Sequence, residues 1–270
     1  MAWRFPAFVF LTLLAAGCDK PTSQSEAPLP SICVMTFNVN WGMPRAAASV
    51  EAIESSGADI VCLQEVQPQW EALIRARLGE RYPRMLFHHA PHPAGGLAVL
   101  SRGPLTWRAV VTPPSGWFPA LLVQAETAIG SVDVLNVHLR PSVADDGRTT
   151  LGAIIQSPHI HRREIRQIMD AAGPDRPLIV CGDLNENDNG AAVMWLTDRG
   201  LANALPRFDT TSPTWHCTRG RVCLTGRYDH IFFSSDLDCL AAGVLPCRSS
   251  DHSPVTATFQ AAMATRRTSD

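Results

Sequence analysis

Five short polar motifs each close an apolar, strand-like run, and they constrain this chain more than any other feature. They are Thr36-Phe37-Asn38, Leu63-Gln64-Glu65, Asn136-Val137-His138, Gly182-Asp183-Leu184-Asn185 and Asp251-His252. Because a strand-like run ends at each motif, five strand ends can meet at one pocket. Such a pocket holds three carboxylates, two amides and two imidazoles, the groups that metal-assisted cleavage of a phosphoester requires.

Apolar spacing along the chain predicts a few helices among a larger number of strands. The helices are expected at residues 44–56, 68–79, 160–172 and 191–198. The strands are expected at residues 32–38, 58–64, 85–88, 97–101, 120–126, 132–138, 178–181, 228–233, 240–245 and 255–259. This mixture suits an α/β domain in which helices flank packed sheets.

Taken alone, each motif also has an ordinary structural explanation. Asn38 suits a turn that closes a strand, Glu65 suits a solvated carboxylate, and Asp183 with Asn185 suits an Asx turn. The ordered set across residues 32–260 instead resembles the endonuclease/exonuclease/phosphatase superfamily, which includes DNase I-like nucleases, neutral sphingomyelinases and inositol polyphosphate 5-phosphatases. The resemblance implies a DNase I-like fold, a two-layer β-sandwich with flanking helices.

The resemblance also implies a metal site. Glu65 is expected to be the main ligand of Mg²⁺ or Mn²⁺, because carboxylate oxygen suits these hard cations. Asn38 is expected to help hold the metal or the phosphate, and Asp251 is expected on the metal side.

The catalytic roles implied by the resemblance fall on five residues. His252 is expected to be the general base, because its ordinary pKa lies near neutral pH, and Asp229 is expected to orient it. Asp183 is expected to position the nucleophilic water, and Asn185 to donate to a phosphate oxygen. His138 is expected to donate to the scissile phosphate or the leaving group. No acidic residue lies between 83 and 105, so the partner of His138 is left open.

The charge balance gives no general attraction to nucleic acid. The formal net charge is -2 and Lys20 is the only lysine, so any positive track must consist of arginines. Arg163 and Arg102 are the arginines predicted to bind substrate. A solvated helix face explains Arg163 equally well.

The N-terminus has the pattern of a targeting segment. Residues 1–17 resemble a lipoprotein signal peptide, with Cys18 as the lipidated residue and residues 18–31 as a flexible tether. A C-terminal tail follows the domain at residues 261–270. This pattern predicts an exported protein on the periplasmic side of the cell envelope, anchored to an inner or outer membrane by lipid. Ala15 lies three residues before Cys18, where lipoprotein signals usually carry an aliphatic residue, so ordinary secretion remains an alternative.

The cysteine pattern suits an oxidising compartment. Cys217 with Cys223, and Cys239 with Cys247, are predicted to form short disulfides. The remaining three, Cys33, Cys62 and Cys181, are interpreted as small buried residues. A zinc site at His216 and Cys217 is the competing interpretation, but no CxxC spacing supports it.

The motifs together predict a divalent-metal-dependent phosphodiesterase of the DNase-like nuclease type. A phospholipid-cleaving enzyme of the sphingomyelinase type and an inositol-phosphate phosphoesterase are the alternatives within the same chemistry. A cell-envelope binding protein that has lost turnover is the alternative of another class. The expected partners are a phosphoester substrate, with nucleic acid as one candidate, and the membrane. No protein partner is predicted.

Overall fold

The computed structural model describes residue 1 and residues 29–114, 116–144, 147–170 and 177–263. The predicted signal peptide, Cys18, most of the tether and most of the C-terminal tail lie outside the described residues. In the part of the chain that is described, no helix is both long and apolar enough to cross a membrane.

The described part of the chain contains fourteen strands and four α-helices. The helices are α1 (Ala46–Ser55), α2 (Pro68–Leu78), α3 (Leu151–Met169) and α4 (Ala191–Asp198). The strands are β1 (Ser31–Asn38), β2 (Ile60–Gln64), β3 (Arg84–His88), β4 (Leu97–Ser101), β5 (Leu105–Val111), β6 (Ala120–Thr127), β7 (Gly130–His138), β8 (Leu178–Asp183), β9 (Ala202–Asn203), β10 (Trp215–Arg219), β11 (Val222–Gly226), β12 (Asp229–Phe233), β13 (Leu237–Val244) and β14 (Val255–Ala261).

Twelve of these strands form two six-stranded sheets, which pack face to face. The strand order is β13-β14-β1-β2-β4-β3 in the first sheet and β5-β6-β7-β8-β12-β9 in the second. A buried aliphatic and aromatic cluster lies between the sheets. A second cluster joins the outer face of the first sheet to α1 and α2, and a third joins the second sheet to α3 and α4. The predicted two-layer α/β sandwich with flanking helices is confirmed.

The helices that were predicted differ from the observed ones mainly at their ends. Helix α2 begins at Pro68, which suits the first turn of a helix, and buries Trp70, Ile74 and Leu78 at four-residue spacing. Helix α3 begins at Leu151, nine residues before the predicted start, and the Thr150 hydroxyl caps it by accepting from Ala153 N at 3.1 Å.

Strand topology brings the polar motifs to one edge of the sandwich. Strand β1 is parallel to β2, and β7 is parallel to β8, so the carboxyl ends of each pair meet at one edge. Asn38 is opposite Gln64 in the first pair, and His138 is opposite Asp183 in the second. Strands β12 and β14 run antiparallel to β8 and β1 and therefore begin at that edge.

Neither predicted disulfide is formed, and all four cysteines are free. In the hairpin of β10 and β11, Cys217 is opposite Leu224 and Cys223 is opposite Thr218. Adjacent residues of a strand point to opposite faces, so Cys217 and Cys223 lie on opposite faces of the hairpin.

The other predicted pair is separated by the first sheet. Cys239 packs against the cluster between the sheets, whereas Cys247 packs against the cluster beneath α1 and α2. A disulfide requires Cα atoms within about 7 Å and Cβ atoms that face each other. The placement of these two cysteines on opposite sides of the sheet excludes the bridge.

Candidate active site

The two sheets meet at their shared edge through the amide of Asn38. Its Nδ2 donates to Glu65 Oε1 at 3.1 Å and to Asp183 Oδ2 at 3.0 Å. Asn38 ends β1, Glu65 directly follows β2 and Asp183 ends β8, so this amide joins carboxylates from both sheets. Asn38 and Asp183 are almost fully buried, which fixes their side chains before any ligand binds.

Asp183 is the point at which the site residues converge. Its Oδ2 lies 3.5 Å from His252 Nε2 and 3.6 Å from His138 Nε2. Its Oδ1 accepts from the backbone N of Asn185 at 2.9 Å. Burial raises the pKa of Asp183, and the nearby Asp229 carboxylate raises it further, while the two imidazoles act in the opposite direction. A water molecule bound between Asp183 and His252 can contact both a carboxylate and an imidazole.

Asp229 holds the far side of the His252 ring. His252 Nδ1 lies 2.8 Å from Asp229 Oδ2, and because a carboxylate accepts, Nδ1 carries the proton. The Asp229 backbone N donates to Thr214 Oγ1 at 3.0 Å. This arrangement leaves His252 Nε2 directed toward Asp183, as expected of a base oriented by an aspartate.

The pKa of His252 departs strongly from the ordinary value on which its predicted role depends. Burial alone would lower the pKa of His252, but the carboxylates of Asp229, Asp183 and Asp251 raise it to about 10. His252 therefore holds a second proton at neutral pH in the protein without a cation. It can act as a base only when positive charge offsets these carboxylates.

His138 is held by a backbone group and an aromatic ring. Its Nδ1 lies 3.1 Å from Ala94 O, so Nδ1 donates, and its ring stacks on Phe118 with the centroids 4.4 Å apart. This carbonyl is the partner that the sequence left open. Burial lowers the pKa of His138 despite the attraction of Asp183. A neutral His138 presents an unprotonated Nε2 to the site, and it can donate to a phosphate only as the imidazolium.

Glu65 is fixed by a rigid loop that follows β1. Its Oε2 accepts from Trp41 N at 2.9 Å, and its backbone adopts a positive φ of 64°. Asn40 in the same loop donates through Nδ2 to Asp251 Oδ1 at 2.8 Å. Burial raises the pKa of Glu65, with hydrogen bonds from Trp41 and Asn38 opposing it. The predicted metal-side residues Glu65, Asn38 and Asp251 thus surround one loop.

The side chains of the site fit a hard divalent cation. Among the described residues, Asp183, Asp229 and His252 offer ligand atoms that all lie within 4.8 Å of one another. Asp229 Oδ1 is buried and accepts no hydrogen bond from the described residues. Burial raises the pKa of both Asp183 and Glu65, as expected of crowded carboxylates without a counter-charge. Carboxylate oxygens are the preferred ligands of Mg²⁺ and Mn²⁺.

The side-chain amide of Asn185 binds the backbone that follows β7 and can also bind a ligand in the pocket. Asn185 Nδ2 donates to Leu139 O at 2.9 Å, and its backbone has a positive φ of 51°. One amide N–H can satisfy this carbonyl while the other remains for a ligand. Its predicted donation to a phosphate oxygen stays a prediction.

A buried polar layer beneath the site was missed as a functional element. Gln64 Nε2 donates to Asn136 Oδ1 at 2.7 Å and to Thr36 Oγ1 at 3.0 Å, across the interface between the sheets. Asn136 Nδ2 donates to the carbonyls of Leu63 and Ala98. Polar residues just before the strand ends are the sequence signal that identifies such a layer.

Neither predicted substrate-binding arginine lies in the site. Arg102 pairs with Asp59 at 3.0 Å, and its neighbour Ser101 is opposite Ile60 at the start of β2. Glu65 follows the other end of β2, so Arg102 is at the opposite edge of the sheet. Arg163 is exposed on α3 and makes no hydrogen bond or ion pair with the site residues that the structure describes. The positions of these two arginines in the sequence gave no sign that they lie apart from the site.

Solved structures share this arrangement of sheets. An endonuclease/exonuclease/phosphatase from Beutenbergia cavernae DSM 12333 has a TM-score of 0.71 at 20% identity, over 87% of this chain and 72% of that chain. TDP2 from D. rerio, complexed with single strand DNA product, has a TM-score of 0.67 at 16% identity, over 85% and 99%. ANGEL2, a 2′,3′-cyclic phosphatase, has a TM-score of 0.61 at 16% identity, over 86% and 96%.

At these identities the likeness to solved structures shows a shared fold. No curated protein matches the sequence. The sequence model of the endonuclease/exonuclease/phosphatase family matches residues 35–252, which include all five polar motifs. The chain therefore belongs to the endonuclease/exonuclease/phosphatase family and has its DNase I-like phosphoesterase fold.

Proposed function

We propose that this protein is a divalent-metal-dependent phosphodiesterase of the DNase-like nuclease type, with Mg²⁺ or Mn²⁺ as its cofactor. The observation that carries the proposal is the convergence of Asn38, His252 and His138 on Asp183, with Asp229 behind His252. These groups are the ones needed to activate a water and to stabilise charge on a phosphate.

In the proposed mechanism, His252 takes the proton of the attacking water, and Asp183 positions that water. Their facing atoms, Nε2 and Oδ2, are 3.5 Å apart, so one water can contact both. Asp229 keeps the Nδ1 proton in place and stabilises the imidazolium that forms. A cation bound in the site would supply positive charge that stabilises the phosphate and the leaving oxygen.

The remaining residues position the phosphate and the carboxylates. Glu65 and Asn38 would hold the cation, with Asp251 on the same side. The free N–H of Asn185 donates to a phosphate oxygen. An anionic phosphate in the site favours the protonated form of His138, which takes its proton from solvent and then donates a hydrogen bond to the scissile group. Its stacking on Phe118 and its hydrogen bond to Ala94 O restrict the ring to one orientation.

A nucleic-acid diester is the preferred substrate class. TDP2 from D. rerio was solved with a single strand DNA product, and ANGEL2 is a 2′,3′-cyclic phosphatase solved with adenosine-2′,3′-vanadate. Both share the fold of this chain. Phospholipid and inositol-phosphate substrates are the second choice. An inactive binding protein is disfavoured because every proposed catalytic side chain lies at the shared sheet edge.

We further propose that the domain acts outside the cytoplasm, attached to a membrane through lipidated Cys18. The support is the apolar N-terminal segment followed by a small-residue site and a Pro- and Ser-rich stretch. Incorporation of labelled fatty acid into the parent, and its loss in Cys18→Ala, tests the anchor. Equal labelling of the parent and of Cys18→Ala would refute lipidation at Cys18.

The test of the activity is a substrate panel with and without EDTA. The panel contains plasmid DNA, RNA, sphingomyelin, inositol phosphates and bis-p-nitrophenyl phosphate. We expect cleavage of diesters, loss of cleavage in EDTA and recovery with added Mg²⁺ or Mn²⁺. Cleavage of none of these substrates, or cleavage unaffected by EDTA, contradicts the proposal.

A further inference from the structure

A cleft of about 880 Å³ lies beside the candidate active site, and apart from Asp251 its lining residues take no part in the mechanism above. Its walls are the β10–β11 hairpin, which contributes His216 and Thr218, and the segment after β13, which contributes Leu245 and Arg248. Ser250 and Asp251 form the end nearest the site. The volume is in the range of about 300 to 1,000 Å³ that is typical of ligand pockets.

The cleft is continuous with the site through the Ser250-Asp251 dipeptide. Ser250 Oγ donates to Asn38 O at 2.9 Å, and Asp251 accepts from Asn40 beside Glu65. On the other wall, His216 N donates to Asp251 O at 2.8 Å, which ties the hairpin to the segment that carries His252. A substrate whose scissile phosphate lies at Asp183 can therefore extend its neighbouring groups along this cleft.

The charge of the cleft favours an anion. Arg248 lines the cleft and is exposed, and no carboxylate in the described part of the chain pairs with it. Arg45 Nη1 lies 3.5 Å from Arg248 O, which places a second guanidinium at the same rim. Asp251 is the one carboxylate among the described lining residues, and Asn40 already binds its Oδ1.

The same lining disfavours a quaternary ammonium headgroup. Such cations bind in cages of Trp, Tyr or Phe rings, and none of these side chains is among the described residues that line the cleft. Arginine instead suits phosphate, because its planar guanidinium can donate two parallel hydrogen bonds. The hydroxyl group of Thr218 adds a further donor.

We propose that this cleft binds a second phosphate group of the substrate, with Arg248 as its main cation. The proposal rests on the phosphoester hydrolysis proposed above and narrows its substrate to one that carries another phosphate near the scissile one. The neighbouring phosphate of a nucleic-acid strand and an additional phosphate of an inositol polyphosphate share this chemistry. A substrate with a single phosphate gains nothing from the cleft.

Binding provides a test that does not depend on turnover. The affinity of a labelled single-stranded oligonucleotide is measured by fluorescence anisotropy in EDTA, for the parent, Arg248→Gln and Arg248→Lys. We expect Arg248→Gln to weaken binding about tenfold, the size of one charge-assisted contact, and Arg248→Lys to restore part of it. The slope of log K against log salt should fall in magnitude by about 0.7 for one lost phosphate contact. Arg102→Gln is the matched control, because Arg102 lies at the opposite edge.

Kinetics separate this proposal from the proposed function. Arg248→Gln should raise KM for the oligonucleotide, or for an inositol polyphosphate, about tenfold while KM for bis-p-nitrophenyl phosphate stays unchanged. The substrate that responds identifies the source of the second phosphate. Parent protein that cleaves the small diester, with oligonucleotide and inositol polyphosphate constants the same in Arg248→Gln, overturns the cleft proposal alone. Parent protein that cleaves none of these substrates overturns both.

Discussion

Replacing Asp229 by asparagine should remove the charge that most directly controls His252. Asp229 Oδ2 lies 2.8 Å from His252 Nδ1, and Asp229 is fully buried. Asparagine has nearly the same shape but no charge, so the fold should persist while the pKa of His252 falls. Its amide can also turn its NH₂ toward Nδ1, which favours the wrong tautomer. We expect kcat/KM to fall at least about a hundredfold, the scale of general base catalysis.

The size of the effect follows from the pKa of His252. That pKa is raised from 6.5 to about 10, which corresponds to about 5 kcal/mol of preference for the protonated folded state. A raised pKa means that the folded protein binds the proton more tightly than the unfolded chain. The stabilisation is therefore fully present below pH 6.5 and is lost as the pH rises toward 10.

The assay combines imidazole titration by NMR with urea unfolding across this pH window, both in EDTA. The parent should titrate His252 far above its ordinary range and lose stability between pH 6.5 and 10. Asp229→Asn should titrate His252 lower and lose less stability. Asp238→Asn is the control, because Asp238 is exposed on β13 opposite Gln260 near the end of β14, away from the site. A parent His252 that titrates near 6.5 would refute the reasoning.

Three further predictions concern separate parts of the molecule. Glu65→Gln should abolish nearly all turnover and weaken Mg²⁺ binding by calorimetry while leaving thermal unfolding close to that of the parent; unchanged metal affinity argues against Glu65 as a ligand. Burial raises the pKa of Glu164 from 4.5 to about 7, so the free energy of unfolding that Glu164 contributes should fall by about 3 kcal/mol as the pH rises through that window. Glu164→Gln should flatten this pH dependence of the free energy of unfolding, measured by urea unfolding. The same pH dependence in the variant and in the parent contradicts the prediction. Non-reduced peptide mapping should find no Cys217–Cys223 or Cys239–Cys247 bridge, and detecting either contradicts the strand register.

The site could be predicted from the sequence because each of its residues has a local signal. A polar residue at the end of an apolar run marks the end of a buried strand, and parallel pairing then brings such ends to one edge. Asn38 and Glu65 meet in this way in the first sheet, and His138 and Asp183 meet in the second. The resemblance supplied the remaining connection between Asp229 and His252, whose contact the structure contains.

Contacts that depend on strand register or on backbone groups have no such local signal in the sequence. The partner of His138 is the carbonyl of Ala94, and any residue type at that position offers the same atom. The cysteines were close in sequence, but the register of β10 and β11 decides which face each side chain occupies. Strand β5 was also missed, since it is an edge strand with mostly exposed or half-buried residues and no clean alternation.

The arginines show the same limit and connect it to function. Arg102 follows a buried strand and looked like a pocket residue, yet β4 runs antiparallel to β2 and carries Arg102 to the far edge. Arg248 has no apolar periodicity around it, but Ser250 and Asp251 hold its segment against Asn38 and Asn40. Part of the positive charge near the pocket therefore comes from the loop before His252. Because that loop also carries the proposed base, any substrate contact at Arg248 is fixed in position relative to the attacking water.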